Sequence, residues 1–337
     1  MKKIKNEGVL GIVMLLIMIT ISIINPNFLT VSNFIDMIRS SITTGIFAVG
    51  AMMVMISGGI DVSFPAVAAF SMYAATRIFN AADYKGSIFL PFLVAMLIGA
   101  LLGAFNAFLI HHMKIPTFIA TIGTQNVFSG ILLTFIGSNA IMKLPKCFTD
   151  FARTSLVTVQ GQVGTSSLPI SLLFLIALCI LVAFIMQHTI LGRGIYAIGG
   201  NMVSAKRVGF PVGAIQFFLY CFVGAAAGAG GLMHTCLMRT SNPFDLLGTE
   251  LSVIAAVVLG GTSITGGKGT IKGTLLGVFI ITIISNSLIL IGVSTYWQRA
   301  VLGILIIASI AVTAVQNRKT ARMVNSRMEG VQINEEK

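Results

Sequence analysis

The sequence predicts an all-α fold, a polytopic membrane bundle of about ten transmembrane segments. Of its 337 residues, 56% are hydrophobic and 9% are charged, and the mean hydropathy is +0.96. Soluble globular domains carry about 25% charged residues, so the composition argues against a soluble protein. The apolar runs of about 20 residues match the thickness of a bilayer core and exceed the strands of a membrane barrel. Because backbone polar groups in lipid have to be satisfied within each segment, we expect helices.

Ten apolar segments are candidate spans. They cover residues 9–27, 42–57, 62–80, 88–110, 117–136, 169–187, 212–236, 250–261, 271–291 and 298–315. The second, third and eighth are short or adjoin glycine-rich breaks, which indicates half-helices or re-entrant turns. The first follows a basic N-terminus like that of a secretory signal, but it is longer than a signal core and Asn25-Pro26-Asn27 is a poor cleavage site. We therefore expect it to be retained.

The distribution of positive charge indicates the orientation. With the N-terminus in the cytoplasm, 14 of the 22 Lys and Arg residues lie inside, and the other eight lie outside or at outer span ends. Both termini are then cytoplasmic, and residues 137–168 form the longest external loop, which suits a soluble partner. The net charge of +12 thus reflects topology and not nucleic-acid binding. We expect a transmembrane domain over residues 1–316 and a polar, disordered tail over residues 317–337.

One short pattern recurs along the chain. Gly99-Ala-Leu-Leu-Gly-Ala-Phe105 is similar to Gly273-Thr-Leu-Leu-Gly-Val-Phe279, which relates the fourth span to the ninth. An offset of five spans predicts an inverted internal repeat, as in many transporters, although chance also produces this pattern in helices rich in Gly and Leu. Glycines four residues apart in both segments, and at Gly224 and Gly228, predict close helix packing.

The sequence predicts no catalytic, metal or nucleotide site. The stretch Gly260–Thr270 lacks the P-loop pattern, because Thr262 stands where glycine is required and Gly269 where Ser or Thr is required. His111 and His112 are adjacent, so they point in different directions, and the four cysteines are scattered. We expect this chain to bind no cofactor, so any ATP hydrolysis belongs to another polypeptide.

Two acidic residues, Asp61 and Glu250, lie near predicted membrane depth. Ionisable groups there are costly and indicate function by default. Both nevertheless stand at predicted helix starts, where a carboxylate accepts from free N–H groups and offsets the positive end of the helix dipole. We favour this structural role for each.

The segment 188–211 joins two strong spans and is glycine-rich and basic. Within it, residues 202–208 predict a short helix that Asn201 caps and that Gly209 and Pro211 terminate. An exposed short helix would suit the docking of a cytoplasmic partner. The alternative is a solvated connector whose charge only fixes the topology.

Three motifs occur in order between residues 40 and 315. They are Ile56-Ser-Gly-Gly-Ile-Asp-Val-Ser63, Gly192-Arg-Gly-Ile-Tyr-Ala-Ile-Gly-Gly-Asn201 followed by Ala205 and Gly209, and Glu250-Leu-Ser-Val-Ile-Ala-Ala-Val-Val-Leu-Gly-Gly-Thr262 followed by Gly266-Gly267. Together they resemble the ribose-type permeases, the membrane subunits of bacterial ABC importers for monosaccharides, with the autoinducer-2 permeases among them. One departure is Phe64-Pro65 after Ser63, where the family usually has Val-Gly. Proline suits a first helical turn, so we expect the break before the third span to be kept. The departure affects the local lining and therefore the substrate.

The resemblance implies a permease in the bacterial cytoplasmic (inner) membrane. An external substrate-binding protein would deliver sugar to two permease subunits, as a homodimer or heterodimer, and a cytoplasmic ATPase would bind ATP-Mg. The segment 188–211 would couple to that ATPase through Arg193, Tyr196, Gly199, Gly200, Asn201, Ala205, Lys206, Arg207 and Gly209. The remaining family-motif residues are Gly58, Gly59, Asp61, Ser63, Glu250, Gly260, Gly261, Gly266 and Gly267.

Polar residues within spans are candidates for the substrate pathway, because each needs a partner in the bundle or a wet cavity. They are Asn106, Gln125, Asn126 and Asn286. The expected cargo is a monosaccharide or related small polyol such as autoinducer-2, with nucleosides or branched-chain amino acids as alternatives. An ion-coupled secondary transporter would need mid-span carboxylates or histidines, which are nearly absent. A membrane enzyme would need a convergent catalytic set, which the sequence does not show.

Overall fold

A computed structural model describes residues 6–160 and 165–290, together with residues 292–294, 297, 300, 301, 303, 304 and 307. Its α-helices are α1 (Asn6–Ile24), α2 (Val31–Ile56), α3 (Phe64–Ala81), α4 (Phe89–His111), α5 (Thr117–Ile131), α6 (Lys146–Arg153), α7 (Ser171–His188), α8 (Ile190–Gly200), α9 (Met202–Arg207), α10 (Val212–Met238), α11 (Glu250–Leu259) and α12 (Ile271–Leu290). A 3-10 turn spans Pro26–Leu29, and a π turn, Leu132–Ile136, extends α5. The tail 317–337 and most of the candidate span 298–315 lie outside the described residues.

Six helices within the described part of the chain are long and apolar enough to cross a membrane. They are Val31–Ile56, Phe89–His111, Thr117–Ile136, Ser171–His188, Val212–Met238 and Ile271–Leu290. The chain is therefore a polytopic helical membrane protein. The eighth predicted segment is a helix of only 10 residues, α11, which agrees with the expected half-helix. The third is a continuous helix of 18 residues, so the interpretation as a half-helix was wrong there.

The second helix begins eleven residues before the predicted start of its apolar run, so its interpretation as a short segment was also wrong. Its first turns carry Asp36 and Arg39, which lower the local hydropathy, so the apolar pattern did not predict this part of the helix. Both side chains have partners in the fold, since Ser166 Oγ donates to Asp36 Oδ2 at 3.1 Å and Arg39 Nη2 donates to the Leu237 carbonyl at 3.0 Å. Every residue from Gly45 to Ile56 is buried, which places the second half of α2 in the core.

A β-hairpin adds strands to the predicted all-α fold. Strands β1 (Ser155–Gln160) and β2 (Thr165–Pro169) pair in antiparallel register, with Val157 opposite Leu168. The hairpin lies beside the start of α2, where the hydroxyl groups of Ser32 and Ser166 form a hydrogen bond. We call this end of the bundle the hairpin side. The end where α2 terminates is the opposite side of the bundle.

Glycine contacts hold α4 against α10. A methyl group on Gly99 would overlap the carbonyl oxygen of Gly224, and one on Gly103 would overlap that of Tyr220. The same arrangement joins α12 to α11, because a methyl group on Gly277 would overlap the Ala256 carbonyl oxygen. Backbones this close have no room for a side chain, so the predicted close packing at these glycines is confirmed.

Candidate functional site

The three sequence motifs meet where the end of α2, the end of α8 and the α11–α12 connection come together. We call Ile56, Gly58, Gly199, Gly266 and Gly267 the glycine junction. The backbone N–H of Gly267 donates to the Ile56 carbonyl at 2.9 Å. A methyl group on Gly199 would overlap that carbonyl, and one on Gly266 would lie 2.7 Å from the Gly199 carbonyl oxygen and 2.9 Å from the Gly58 Cα. Three chain segments thus touch backbone to backbone.

Backbone conformation is a second reason for glycine at this site. Gly58, Gly266 and Gly267 have φ angles of 87°, 88° and 73°, a region in which a Cβ atom causes steric clashes. Gly261, in the same connection, has a φ of 89°. The junction therefore depends on glycine both for its close approach and for its turns.

Local sequence signals build the two helices beside the junction. The Thr189 hydroxyl accepts from Gly192 N at 3.1 Å and caps α8. The Asn201 side chain accepts from Ser204 N at 2.9 Å and caps α9. Gly209, with a φ of 95°, turns the chain after α9. The predicted short helix and its cap are confirmed.

Helix α9 projects from the bundle on the side opposite the hairpin. Ala205 is its buried anchor, at 4% exposure, and packs into the core. The exposed side chains of α9 are Met202, Val203, Ser204, Lys206 and Arg207, and Val208, directly after the helix, is exposed too. Such a mixture of apolar and basic groups on one surface is suited to contact with another protein.

Tyr196 connects α8 to the α11–α12 connection. Its hydroxyl donates to the Gly269 carbonyl at 2.8 Å. Burial raises the pKa of the Tyr196 phenol above its ordinary value, so this group remains a donor at neutral pH. Arg193, also on α8, is exposed to solvent. The hydrogen bond of Tyr196 thus joins α8 to the connection that carries Gly266 and Gly267.

A buried polar cluster lies in the α2–α3 connection, directly after Gly58 of the glycine junction. Asp61 is 5% exposed, and its Oδ1 accepts from Ser63 N and from Ser63 Oγ, both at 2.7 Å. Asn106 of α4 donates to Ser63 Oγ at 2.8 Å. The carboxylate thus orders the residues that lead into α3, which agrees with the structural role favoured for Asp61.

Thr117, Thr121 and Tyr220 complete the surroundings of this cluster. Thr121 Oγ1 lies 3.3 Å from Val62 N and from the Ile60 carbonyl. Tyr220 OH donates to Thr117 Oγ1 at 3.2 Å, and both side chains face Gly59. These three residues were absent from the sequence interpretation, because hydroxyl groups on separate helices carry no local signal of their convergence.

Asp61→Ala should lower the apparent melting temperature of the purified protein markedly. The change leaves the buried N–H and O–H groups of Ser63 without the carboxylate oxygen that accepts from both, a loss of roughly 1–3 kcal/mol for a buried polar group. Differential scanning fluorimetry in detergent would measure it. Lys85→Ala is the control, because Lys85 forms an exposed ion pair with Asp83, and such pairs contribute little. Equal melting temperatures for the two variants would contradict the structural role of Asp61.

The second acidic residue, Glu250, is the first residue of α11. Its Oε2 is buried and has no hydrogen-bond partner among the described residues. Gly260 ends the same helix against α12, because a methyl group there would overlap the Gly273 carbonyl oxygen. The capping bond expected of Glu250 is not observed, since Thr249 is the N-cap residue and makes no side-chain cap bond. What remains of the predicted structural role is the favourable position of a carboxylate in the first turn.

The four predicted pathway residues are spread over three helices, and no hydrogen bond joins any two of them within the described part of the chain. Asn106 is 1% exposed and belongs to the Asp61 cluster, with its Oδ1 unpartnered. Asn126 is exposed on α5, and its amide donates to the Ile122 carbonyl of its own helix. Gln125 and Asn286 are half-buried. Among the described residues, no three His, Cys, Asp or Glu side chains group as metal ligands would.

Comparison with known proteins identifies similar chains. Residues 33–310 match the model of a family described as the permease component of branched-chain amino acid transport systems. The ribose import permease protein of Haemophilus influenzae is 32% identical, over 89% of this chain and 90% of its own length. That of Bacillus subtilis is 33% identical over 88% of both chains, and the D-allose transport system permease of Escherichia coli K12 is 32% identical over 85% and 84%. No solved structure shows significant similarity to the chain.

Proposed function

The chain belongs to the family of permease components of branched-chain amino acid transport systems, and from this premise we propose that it forms part of the translocation pathway of an ATP-driven sugar importer. The observation that carries the proposal is the convergence of three motifs on the glycine junction beside the exposed helix α9. Permease subunits do not hydrolyse ATP themselves, so ATP-Mg binds the partner ATPase and this chain holds no cofactor.

The proposed cargo is a monosaccharide or a related small polyol. The ribose and D-allose permeases described above align with most of this chain and with most of their own length. Full-length similarity favours a sugar over the branched-chain amino acids of the family description. Import of nucleosides or of branched-chain amino acids is the alternative within the same mechanism.

We place ten crossings in a bacterial inner membrane, with both termini in the cytoplasm. Helices α8 and α9 and the α11–α12 connection would then face the cytoplasm. This orientation is supported by the 14 of 22 Lys and Arg residues that it places in the cytoplasm, because short cytoplasmic loops are enriched in these residues. Five of them lie on or beside these elements: Arg193, Lys206, Arg207, Lys268 and Lys272. The paired glycine contacts of α4 and α12 support an inverted repeat, because both copies pack directly on a neighbouring backbone.

In this arrangement α9 docks in a groove of the ATPase. When the two nucleotide sites close on ATP, the groove pushes α9 and α8 as one body, because Ala205 is buried and Gly199 lies against Ile56. The glycine junction and the bond from Tyr196 to Gly269 pass this displacement to α2 and to the α11–α12 connection. Rigid, closely packed elements suit this kind of coupling, since packed cores move between discrete arrangements.

One face of α5 is assigned to the second permease subunit and to the pathway between the two subunits. Gly123, Asn126 and Gly130 lie on this face, and all three are exposed. A methyl group on either glycine would meet no atom within 4 Å. An amide on an exposed face of a membrane helix is costly in lipid, so this face is better covered by protein or water. The hairpin side would receive the external substrate-binding protein.

Reconstituted transport tests the proposal. The chain would be placed in liposomes with the ATPase and the substrate-binding protein encoded beside it, and uptake of radiolabelled ribose, D-allose and leucine would be measured. We expect sugar uptake, and this uptake should require ATP on the side of the membrane that carries the ATPase and the binding protein on the opposite side. Uptake of leucine alone would identify the amino acid alternative. Uptake driven by an ion gradient without ATP would contradict the proposal.

A further inference from the structure

A cavity of about 230 Å³ lies between α2, α10 and the connection 239–249, towards the hairpin side. Its polar lining consists of Arg39, Ser40, Thr43, Thr44, His234, Asp245 and Thr249. Phe47 supplies an aromatic wall. None of these residues belongs to the three motifs or to the predicted pathway residues.

The chain path brings this cavity into the depth of the bundle. Helix α11 has 10 residues, so it spans about 15 Å, half of a bilayer core of about 30 Å. Helix α11 ends beside the glycine junction, on the side opposite the hairpin. Its first residue therefore lies near the middle of the membrane. The connection 239–249 therefore descends from the end of α10 without helical structure. Irregular backbone at such depth is tolerated where it lines a cavity, and transporter sites are built from interrupted helices of this kind.

The charged groups of the cavity are only partly paired with each other. Arg39 donates through Nη2 to the Leu237 carbonyl, at 3.0 Å. Asp245 accepts at Oδ1 from the Asn242 amide at 2.7 Å, and its Oδ2 lies 3.5 Å from His234 Nε2. That nitrogen is buried and makes no hydrogen bond within the described residues. The lining thus retains donors and acceptors that a bound solute can use.

The chemistry of the lining suits a small solute that has no net charge and is rich in hydroxyl groups. A hydroxyl group both donates and accepts, so it can satisfy the carboxylate of Asp245, the guanidinium of Arg39 and the hydroxyl groups of Thr43 and Thr44 together. A solute with a net charge would be attracted by one of the two charged groups, Arg39 and Asp245, and repelled by the other, so the lining disfavours a net charge. A zwitterion could pair with both groups, and it is the hydroxyl groups of the lining that favour a solute rich in hydroxyl groups over a zwitterion. The Phe47 ring can cover the C–H face of a sugar ring. A volume of about 230 Å³ lies below that of typical drug-sized pockets, about 300–1,000 Å³, and suits one small solute.

We propose that this cavity is a binding subsite for a single neutral monosaccharide or small polyol, occupied between release from the external side and passage through the membrane. The inference rests on the proposed function in one respect: the order from external release to passage assumes that the protein is an importer. Binding itself needs neither ATP nor a partner chain. The two proposals can therefore fail separately.

Protection of an introduced cysteine tests the subsite. Thr43→Cys would be made in a chain whose native cysteines are replaced by alanine, and modification by a small methanethiosulfonate reagent would be timed in detergent with and without ribose, D-allose or galactose. A bound sugar should slow the reaction by the factor 1 + [sugar]/Kd, about tenfold at ten times Kd. Thr158→Cys, exposed on strand β1, is the matched control and should react at one rate throughout. The melting temperature of each variant would verify folding.

A second variant tests the charge argument. In the Thr43→Cys chain, ribose 5-phosphate should not slow modification of the introduced thiol, because the Asp245 carboxylate repels the phosphate. When Asp245→Asn is added, this repulsion is removed and ribose 5-phosphate should slow the modification. A cysteine at position 43 that fails to react without sugar would contradict an open cavity. Equal reaction rates with and without all three sugars would overturn the subsite, even if ATP-dependent uptake is observed. Protection in a chain that shows no such uptake would support the subsite and count against the importer.

Discussion

Gly199→Ala should abolish ATP-dependent sugar uptake and lower the apparent melting temperature. The added methyl group would overlap the Ile56 carbonyl oxygen and lie 2.7 Å from Gly267 N, two backbone atoms that hydrogen-bond to each other. A flexible side chain could move aside, but these atoms belong to three packed segments. Overpacking costs about 1–3 kcal/mol where side chains can adjust, and a backbone overlap leaves less room for adjustment. The junction therefore has to open.

Gly200→Ala is the control for stability, because a methyl group there would meet no atom within 4 Å. Both variants would be compared by scanning fluorimetry, and uptake would be measured in the reconstituted system. We expect only Gly199→Ala to lower the melting temperature. If Gly199→Ala melts and transports like the unmodified chain, the glycine junction has no mechanical role.

Reversing the charges of Lys206 and Arg207 together should abolish sugar-stimulated ATP hydrolysis while the chain still inserts and folds. Both side chains are exposed at the end of α9, so the fold does not depend on them. If they face acidic groups of the ATPase, reversal creates like-charge contacts, which cost several kcal/mol in a protein interface. Each 1.4 kcal/mol weakens binding about tenfold, so the affinity for the ATPase should fall by about 100-fold or more.

The measurement is co-purification of the ATPase with each variant, followed by an ATP hydrolysis assay. Lys85→Glu, a charge reversal in the α3–α4 connection on the hairpin side, is the matched control and should retain the ATPase. Full retention of both the ATPase and its activity by the Lys206→Glu, Arg207→Glu variant would remove these two residues from the interface. A loss of insertion in this variant would contradict the expectation that these side chains do not support the fold.

Short-range rules explain why part of this structure could be predicted from sequence. The cap at Asn201, the turn at Gly209 and the close packing at Gly99 and Gly103 depend on neighbouring residues or on a spacing of one helical turn. The half-helix α11 followed from a short apolar run next to glycines. Each of these features was visible in a window of about ten residues.

Other features depend on residues that are distant in sequence. The start of α2 was missed because Asp36 and Arg39 lower its hydropathy, and their partners Ser166 and Leu237 lie far along the chain. The hairpin was missed because β1 and β2 have only six and five residues and β1 is largely exposed, so neither strand has an apolar buried face to mark it in the sequence. The motifs predicted that the glycines of the junction matter, but not that Gly199 touches Ile56 and Gly266, since contact between three separate segments has no local pattern.

Purification of the chain from its native host tests the central claim most directly. The chain would be solubilised in mild detergent, the co-purifying polypeptides identified, and ATP hydrolysis assayed with and without sugar-loaded binding protein. The account predicts that an ATPase co-purifies with two permease subunits, either two copies of this chain or this chain and a similar one. It also predicts that the loaded binding protein stimulates ATP hydrolysis. A chain that purifies alone and accumulates solute on an ion gradient would contradict it.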